Sequence, residues 1–63
     1  MPEPLIIHLQ TGDELRVEAD RADLSAELAG KPFIEVESNG RFVTVFSPHV
    51  VWLEPVREGG GHG

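Results

Sequence analysis

The residues of this chain that could carry chemistry are its histidines and its carboxylates. His8, His49 and His62 are too far apart in the sequence to be neighbours on one helix, so their spacing does not predict a metal site. Glu14 and Glu18 alternate along a predicted strand, on the side where charged groups are solvated. The chain has no cysteine, nucleophile elbow or glycine-rich phosphate loop between a strand and a helix. We therefore expect no enzyme activity, no metal and no cofactor.

The aromatic residues form a second candidate group. Asn39-Gly40 between two apolar runs is a strong signal for a two-residue hairpin turn, and the pairing it implies places Phe33, Phe42 and Phe46 on one face. The opposite face is also apolar, and strands that are apolar on both faces are usually buried on both. One small sheet with one helix cannot bury both faces. Either the sheet curls into a small closed barrel whose outer surface the helix partly covers, or a second copy or another protein covers the aromatic face. We favour the second alternative, which predicts a partner-binding surface. Its predicted members are Phe33, Phe42, Phe46, Val51, Trp52 and Leu53.

Length and composition point the same way. A chain of 63 residues is one domain with a marginal core, and such domains are usually supplemented by disulfides, a metal or oligomerisation. The absence of cysteine leaves oligomerisation as the leading supplement. With 5 Lys+Arg against 11 Asp+Glu, the net charge of −6 disfavours a phosphate backbone as partner. We expect the protein to bind itself or another protein.

The sequence also predicts a location. No apolar run approaches the roughly 18 to 20 residues of a membrane span. The first four residues are acidic and contain prolines, unlike the basic start of a secretory signal. We therefore expect a cytoplasmic protein without a membrane segment.

The first half predicts two strands and a helix. Alternation favours strands at 5–10 and 14–20, joined by a three-residue loop at 11–13. That loop would set Leu9 opposite Leu15 and His8 opposite Arg16. Residues 21–29 predict a two-turn helix, for which Asp20 is the expected N-cap and Gly30 the expected C′ residue.

The second half predicts three more strands, at 33–38, 41–47 and 50–54. The order is β-β-α-β-β-β, and the expected fold is mainly β: a small five-stranded antiparallel sheet that curls, or a barrel, with the helix between the second and third strands. Residues 1–56 are expected to form this single domain, followed by a flexible glycine-rich tail at 57–63. The predicted core consists of Leu5, Ile7, Leu9, Leu15, Val17, Ile34, Val36, Val43 and Val45.

The second half of the chain, from about Phe33 to Pro55, resembles the end of small SH3-like and Sm-like β-barrels, in which a bent hairpin is followed by a very short turn and a closing strand. The stretch from Phe42 to Leu53 has that layout. The resemblance implies a small barrel. Where the Sm family has an Arg-Gly or similar pair that helps bind RNA, this chain has Ser47-Pro48-His49, so we assign no RNA-binding residue by resemblance. The expected function is a non-catalytic oligomerising or adaptor protein; the alternative is an Sm-like or OB-like RNA-binding barrel.

Overall fold

The computed structural model describes residues 2–56, and the predicted tail at 57–63 lies outside the described residues. Among the described residues the predicted element order β-β-α-β-β-β is confirmed, with a 3-10 turn before the last strand. The elements are β1 (Glu3–Leu9), β2 (Glu14–Ala19), α1 (Arg21–Gly30), β3 (Phe33–Ser38), β4 (Arg41–Phe46), the 3-10 turn (Ser47–His49) and β5 (Val50–Pro55).

The strands form two antiparallel sheets. One has three strands in the order β2-β1-β5, and the other consists of β3 and β4. The prediction of one curled five-stranded sheet or closed barrel is therefore wrong for residues 2–56. The five strands do not form one sheet because the chain between β2 and β3 forms α1. Strands β2 and β3 approach each other, but no hydrogen-bonded ladder joins the two sheets.

The core lies between the sheets and beneath α1. Leu5, Ile7 and Val17 come from the three-stranded sheet, Ile34 and Val45 from β3–β4, and Leu24 from α1. All six are almost fully buried. The other predicted core residues, Leu9, Leu15, Val36 and Val43, are half-buried against this cluster. The predicted inward faces of both hairpins are thus confirmed.

The β1–β2 hairpin has its predicted faces but a different register. Ile7 lies opposite Leu15, and His8 lies opposite Glu14 instead of the expected Arg16. The loop has three residues, but it begins one residue earlier than predicted: the Leu9 N–H donates to the Asp13 carbonyl at 3.0 Å. Gly12 explains the shift, since its φ of +93° suits the third position of a three-residue loop. Moving the loop by one residue changes the pairing by two, so every side chain keeps its face.

Helix α1 begins as predicted and ends differently. The Asp20 carboxylate caps it by accepting hydrogen bonds from the N–H groups of Ala22 and Asp23, at 3.0 and 3.2 Å. Gly30 is the last helical residue instead of a C′ residue, because the Lys31 N–H still donates to the Glu27 carbonyl at 2.9 Å. Among residues 2–56, no helix is long and apolar enough to cross a lipid bilayer.

The predicted pairing of β3 with β4 is confirmed, although β4 ends at Phe46 and Ser47 begins the 3-10 turn. Six residue pairs run from Ser38 opposite Arg41 to Phe33 opposite Phe46, as the two-residue turn predicts. Asn39 and Gly40 have φ values of 55° and 78°, which is the backbone conformation that a type I′ turn requires.

Candidate interaction surface

The outer face of β3–β4 carries all three phenylalanines of the chain, and we call it the aromatic face. Since Ile34 and Val45 point into the core, the residues that alternate with them point away from it. Phe33, Phe42 and Phe46 are accordingly 54, 72 and 52% exposed. The hairpin register, fixed by its turn, is therefore what places these rings in solvent.

Two of the three rings lie at the open end of the hairpin, and the third lies near the turn. Phe33 and Phe46 face each other across the strands in an edge-to-face arrangement, with centroids 6.0 Å apart. His49, in the 3-10 turn, packs edge-on against Phe46 at 5.8 Å. Phe42 lies near the turn, opposite Glu37, and is the most exposed of the three rings. The geometry of the first pair is one that aromatic rings favour in contact.

Charge divides the aromatic face into two columns. The β4 column consists of Phe42, Thr44 and Phe46 and has no charged side chain. The β3 column has Phe33 together with two exposed carboxylates, Glu35 and Glu37. The uncharged part of the aromatic face therefore lies along β4, and the two carboxylates lie on the same face along β3.

The predicted members from β5 do not join this surface. Leu53 pairs with Ile7 and packs against the core. Val51 is the extra residue of an irregularity in the β1–β5 ladder and is 62% exposed. Trp52 lies opposite His8, on the outer face of the three-stranded sheet. Because the two sheets share the core between them, their outer faces point away from each other, and the predicted single surface is divided into two.

A polar cluster surrounds His8 on the outer face of the three-stranded sheet. Its imidazole stacks on the Trp52 indole, with ring centroids 4.4 Å apart and planes 7° from parallel. Its Nε2 lies 2.8 Å from Glu54 Oε1, and its Nδ1 lies 3.7 Å from Glu14 Oε2. His8 thus connects the central strand to both of its neighbours. The first half alone could not predict this cluster, since Trp52 and Glu54 arrive from the far end of the chain.

The side chains of the cluster are not placed as metal ligands. Among residues 2–56, no group of three or more His, Asp or Glu side chains is placed to hold a metal ion. His49 lies beside Phe46 on the other sheet, and His62 lies outside the described residues. The His8 cluster is therefore a set of cross-strand contacts that link β1 to β2 and to β5.

Open grooves lie between the elements of residues 2–56. One, of about 480 Å³, lies between β2, α1 and β3, and its charged lining consists of four carboxylates and Arg16. A smaller one, of about 320 Å³, lies between the tip of the β1–β2 hairpin and β4, and its apolar lining consists of the half-buried Leu9, Leu15 and Val43 and the buried Val45. The smaller groove is therefore an opening of the core along the outer edge of β4.

Comparison with known proteins gives no further guide to function: no family model, curated protein or solved structure matches this chain.

Proposed function

We propose that this protein is a small, non-catalytic, cytoplasmic module that acts by associating with a second copy of itself through the β4 side of the aromatic face. The observation that carries the proposal is the exposure of Phe33, Phe42 and Phe46 on one face of a well-defined hairpin. A hairpin that needed these rings for its own core would turn them inwards, where the valines already lie.

The size of the patch supports a functional surface. At roughly 200 Å² for a whole aromatic side chain, the exposed parts of the three rings sum to roughly 350 Å². Patches of about 300 to 600 Å² on a monomer often serve in binding.

A second copy is the most economical partner. The same chain always supplies the same patch, and a two-fold interface needs a surface that is complementary to itself. The uncharged β4 column, with a ring at each end and Thr44 between them, meets that requirement. The small core of a 63-residue chain also gains stability from association.

An RNA-binding surface is the alternative, because exposed rings on a sheet can stack on nucleobases. Such surfaces place Lys and Arg beside the rings to neutralise phosphates. Here Glu35 and Glu37 interleave the rings instead, and the chain carries a net charge of −6. The carboxylates therefore favour protein over nucleic acid as the partner.

Two measurements test the proposal. The molar mass of the protein, measured by light scattering over a range of concentrations, should rise to that of a dimer. A titration with single-stranded RNA at low and at moderate salt should show no binding. A monomeric mass together with tight, salt-sensitive RNA binding would overturn the proposal in favour of the alternative.

A further inference from the structure

Among residues 2–56, four strands lie at sheet edges, and three of them are protected against pairing with another chain. The irregularity at Val51 and the presence of Pro55 interrupt β5. The edge of β3 approaches β2, and both strands carry alternating charged residues on their outer faces. Natural sheets use bulges, prolines, charges and covering elements in this way to prevent edge-to-edge association.

Strand β4 has none of these protections. It has six residues, Arg41–Phe46, without proline or irregular pairing, and Arg41 at its beginning is its only charged residue. In the part of the chain that the structure describes, β4 has a paired neighbour on one side only, namely β3. Its other edge borders the groove that opens onto Leu9 and Leu15. This edge is therefore suited to accept another strand.

The backbone pattern shows which groups this edge presents. The Ser47 N–H donates to the Pro32 carbonyl at 2.9 Å, so the 32/47 pair is a hydrogen-bonded one. Hydrogen-bonded and non-hydrogen-bonded pairs alternate along an antiparallel ladder. Phe46, Thr44 and Phe42 therefore fall in the non-hydrogen-bonded pairs with β3. Their N–H and C=O groups point to the outer edge of β4.

We infer that two copies join through antiparallel pairing of their β4 strands, with Thr44 on the two-fold axis; this rests on the proposed self-association. In an antiparallel ladder, residues with outward groups must face one another. Placing Thr44 opposite Thr44 of the second copy satisfies this and sets Phe42 opposite Phe46 of that copy. Six backbone hydrogen bonds then form. A two-fold axis centred on Val43 would form only four backbone hydrogen bonds and would leave Phe46 opposite the hairpin turn of the second copy.

The side chains agree with that register. Each outer row contains Phe33 and Phe46 from one copy and Phe42 from the other, and the central row has Thr44 from both. Cross-strand aromatic pairs and Thr–Thr pairs are favourable neighbours in sheets. On the inner face, Val43 of one copy lies beside Val45 of the other, at the groove through which the core is open. Edge pairing thus extends both faces of the hairpin.

The positions of the carboxylates favour this edge-to-edge arrangement over a face-to-face dimer. In the four-stranded sheet, the two Glu35 residues stand at the outer strands, three strand spacings or about 14 Å apart. That separation exceeds the Debye length of about 8 Å at physiological salt. Two aromatic faces packed against each other would instead enclose four carboxylates, from Glu35 and Glu37 of each copy, without a positive partner on that face. The cost of burying such charges opposes that packing.

A single-cysteine variant tests the register, since the chain has no cysteine of its own. Directly opposed residues of a hydrogen-bonded pair have Cα atoms about 5.5 Å apart, within the range of about 4.4 to 6.8 Å that a disulfide spans. Thr44→Cys should therefore form a covalent dimer on mild oxidation, at concentrations where the wild type is dimeric. Glu35→Cys and Val51→Cys, exposed positions outside the proposed contact, serve as controls and should remain uncrosslinked.

Amide hydrogen exchange on the wild-type protein gives an independent reading. Edge pairing should slow exchange at Phe42, Thr44 and Phe46 as concentration rises, and leave Glu35 and Glu37 unchanged. A monomeric wild type would refute both the proposed function and this inference. A dimer in which Thr44→Cys does not crosslink and the β4 amides gain no protection would refute the inference alone. Crosslinking at Glu35→Cys would instead indicate a different interface.

Discussion

Replacing Phe42 with Ser is the sharpest test of the aromatic face by mutation. The ring is 72% exposed, which corresponds to roughly 140 Å² if a whole aromatic side chain has roughly 200 Å². If strand pairing covers half of that area, each copy removes about 70 Å² from water, equivalent to about 1.8 kcal/mol at 25 cal/mol per Å². The dimer contains the contact twice, so the substitution should cost about 3.5 kcal/mol and raise the dissociation constant roughly three-hundredfold.

The assay is sedimentation equilibrium over a range of concentrations, with circular dichroism to check that the variant is folded. Phe42 is outside the core, so the variant should retain the β-sheet spectrum of the wild type. The matched control is Val51→Ser, which removes an exposed apolar side chain from β5, in the three-stranded sheet. The reasoning is refuted if Phe42→Ser leaves the dissociation constant unchanged, or if Val51→Ser raises it as much.

Three further predictions concern the fold beneath the surface. Ile7→Val removes one methyl group from a fully buried side chain and should lower the free energy of unfolding in urea by about 1 kcal/mol; no change would contradict the position of the core. Gly12→Ala should lower the free energy of unfolding by about 1 kcal/mol, because φ at Gly12 is +93°. Gly30→Ala should leave the free energy of unfolding unchanged or raise it, because Gly30 is helical and nothing beyond its own helix and chain neighbours lies within 4 Å of the added carbon. If Gly30→Ala lowered the free energy of unfolding more than Gly12→Ala, the positive φ of Gly12 in the β1–β2 turn would be wrong. His8→Ala should shift the emission of the only tryptophan to longer wavelength, because Trp52 loses the ring stacked on it at 4.4 Å; an unchanged spectrum would mean that the stack does not form.

Local patterns were sufficient to predict the hairpins and their faces. Asn39-Gly40 determines the β3–β4 register because only a two-residue turn with positive φ at both positions joins the strands closely. The alternation of apolar residues around Ile7 and Val17 fixed which side of the first hairpin is buried. The loop at Gly12 was predicted one residue late, because alternation alone does not distinguish registers that differ by two residues.

Contacts between segments that are distant in the chain could not be predicted from the sequence patterns. The pairing of β5 with β1 brings Trp52 and Glu54 to His8, and no local spacing signals that arrangement. The same pairing turns Leu53 towards the core and separates Trp52 from the phenylalanines. The candidate surface is consequently smaller than predicted, and its apolar part follows one strand, β4. Sequence patterns gave the exposure of the rings correctly, but the sheet order decided which of them share a surface.

The molar mass of the unmodified protein in solution tests the central claim most directly. Light scattering across a dilution series should give twice the 6.9 kDa mass of the chain at high concentration and fall towards the single-chain mass on dilution. A mass of one chain at every concentration up to the solubility limit would contradict self-association through the aromatic face.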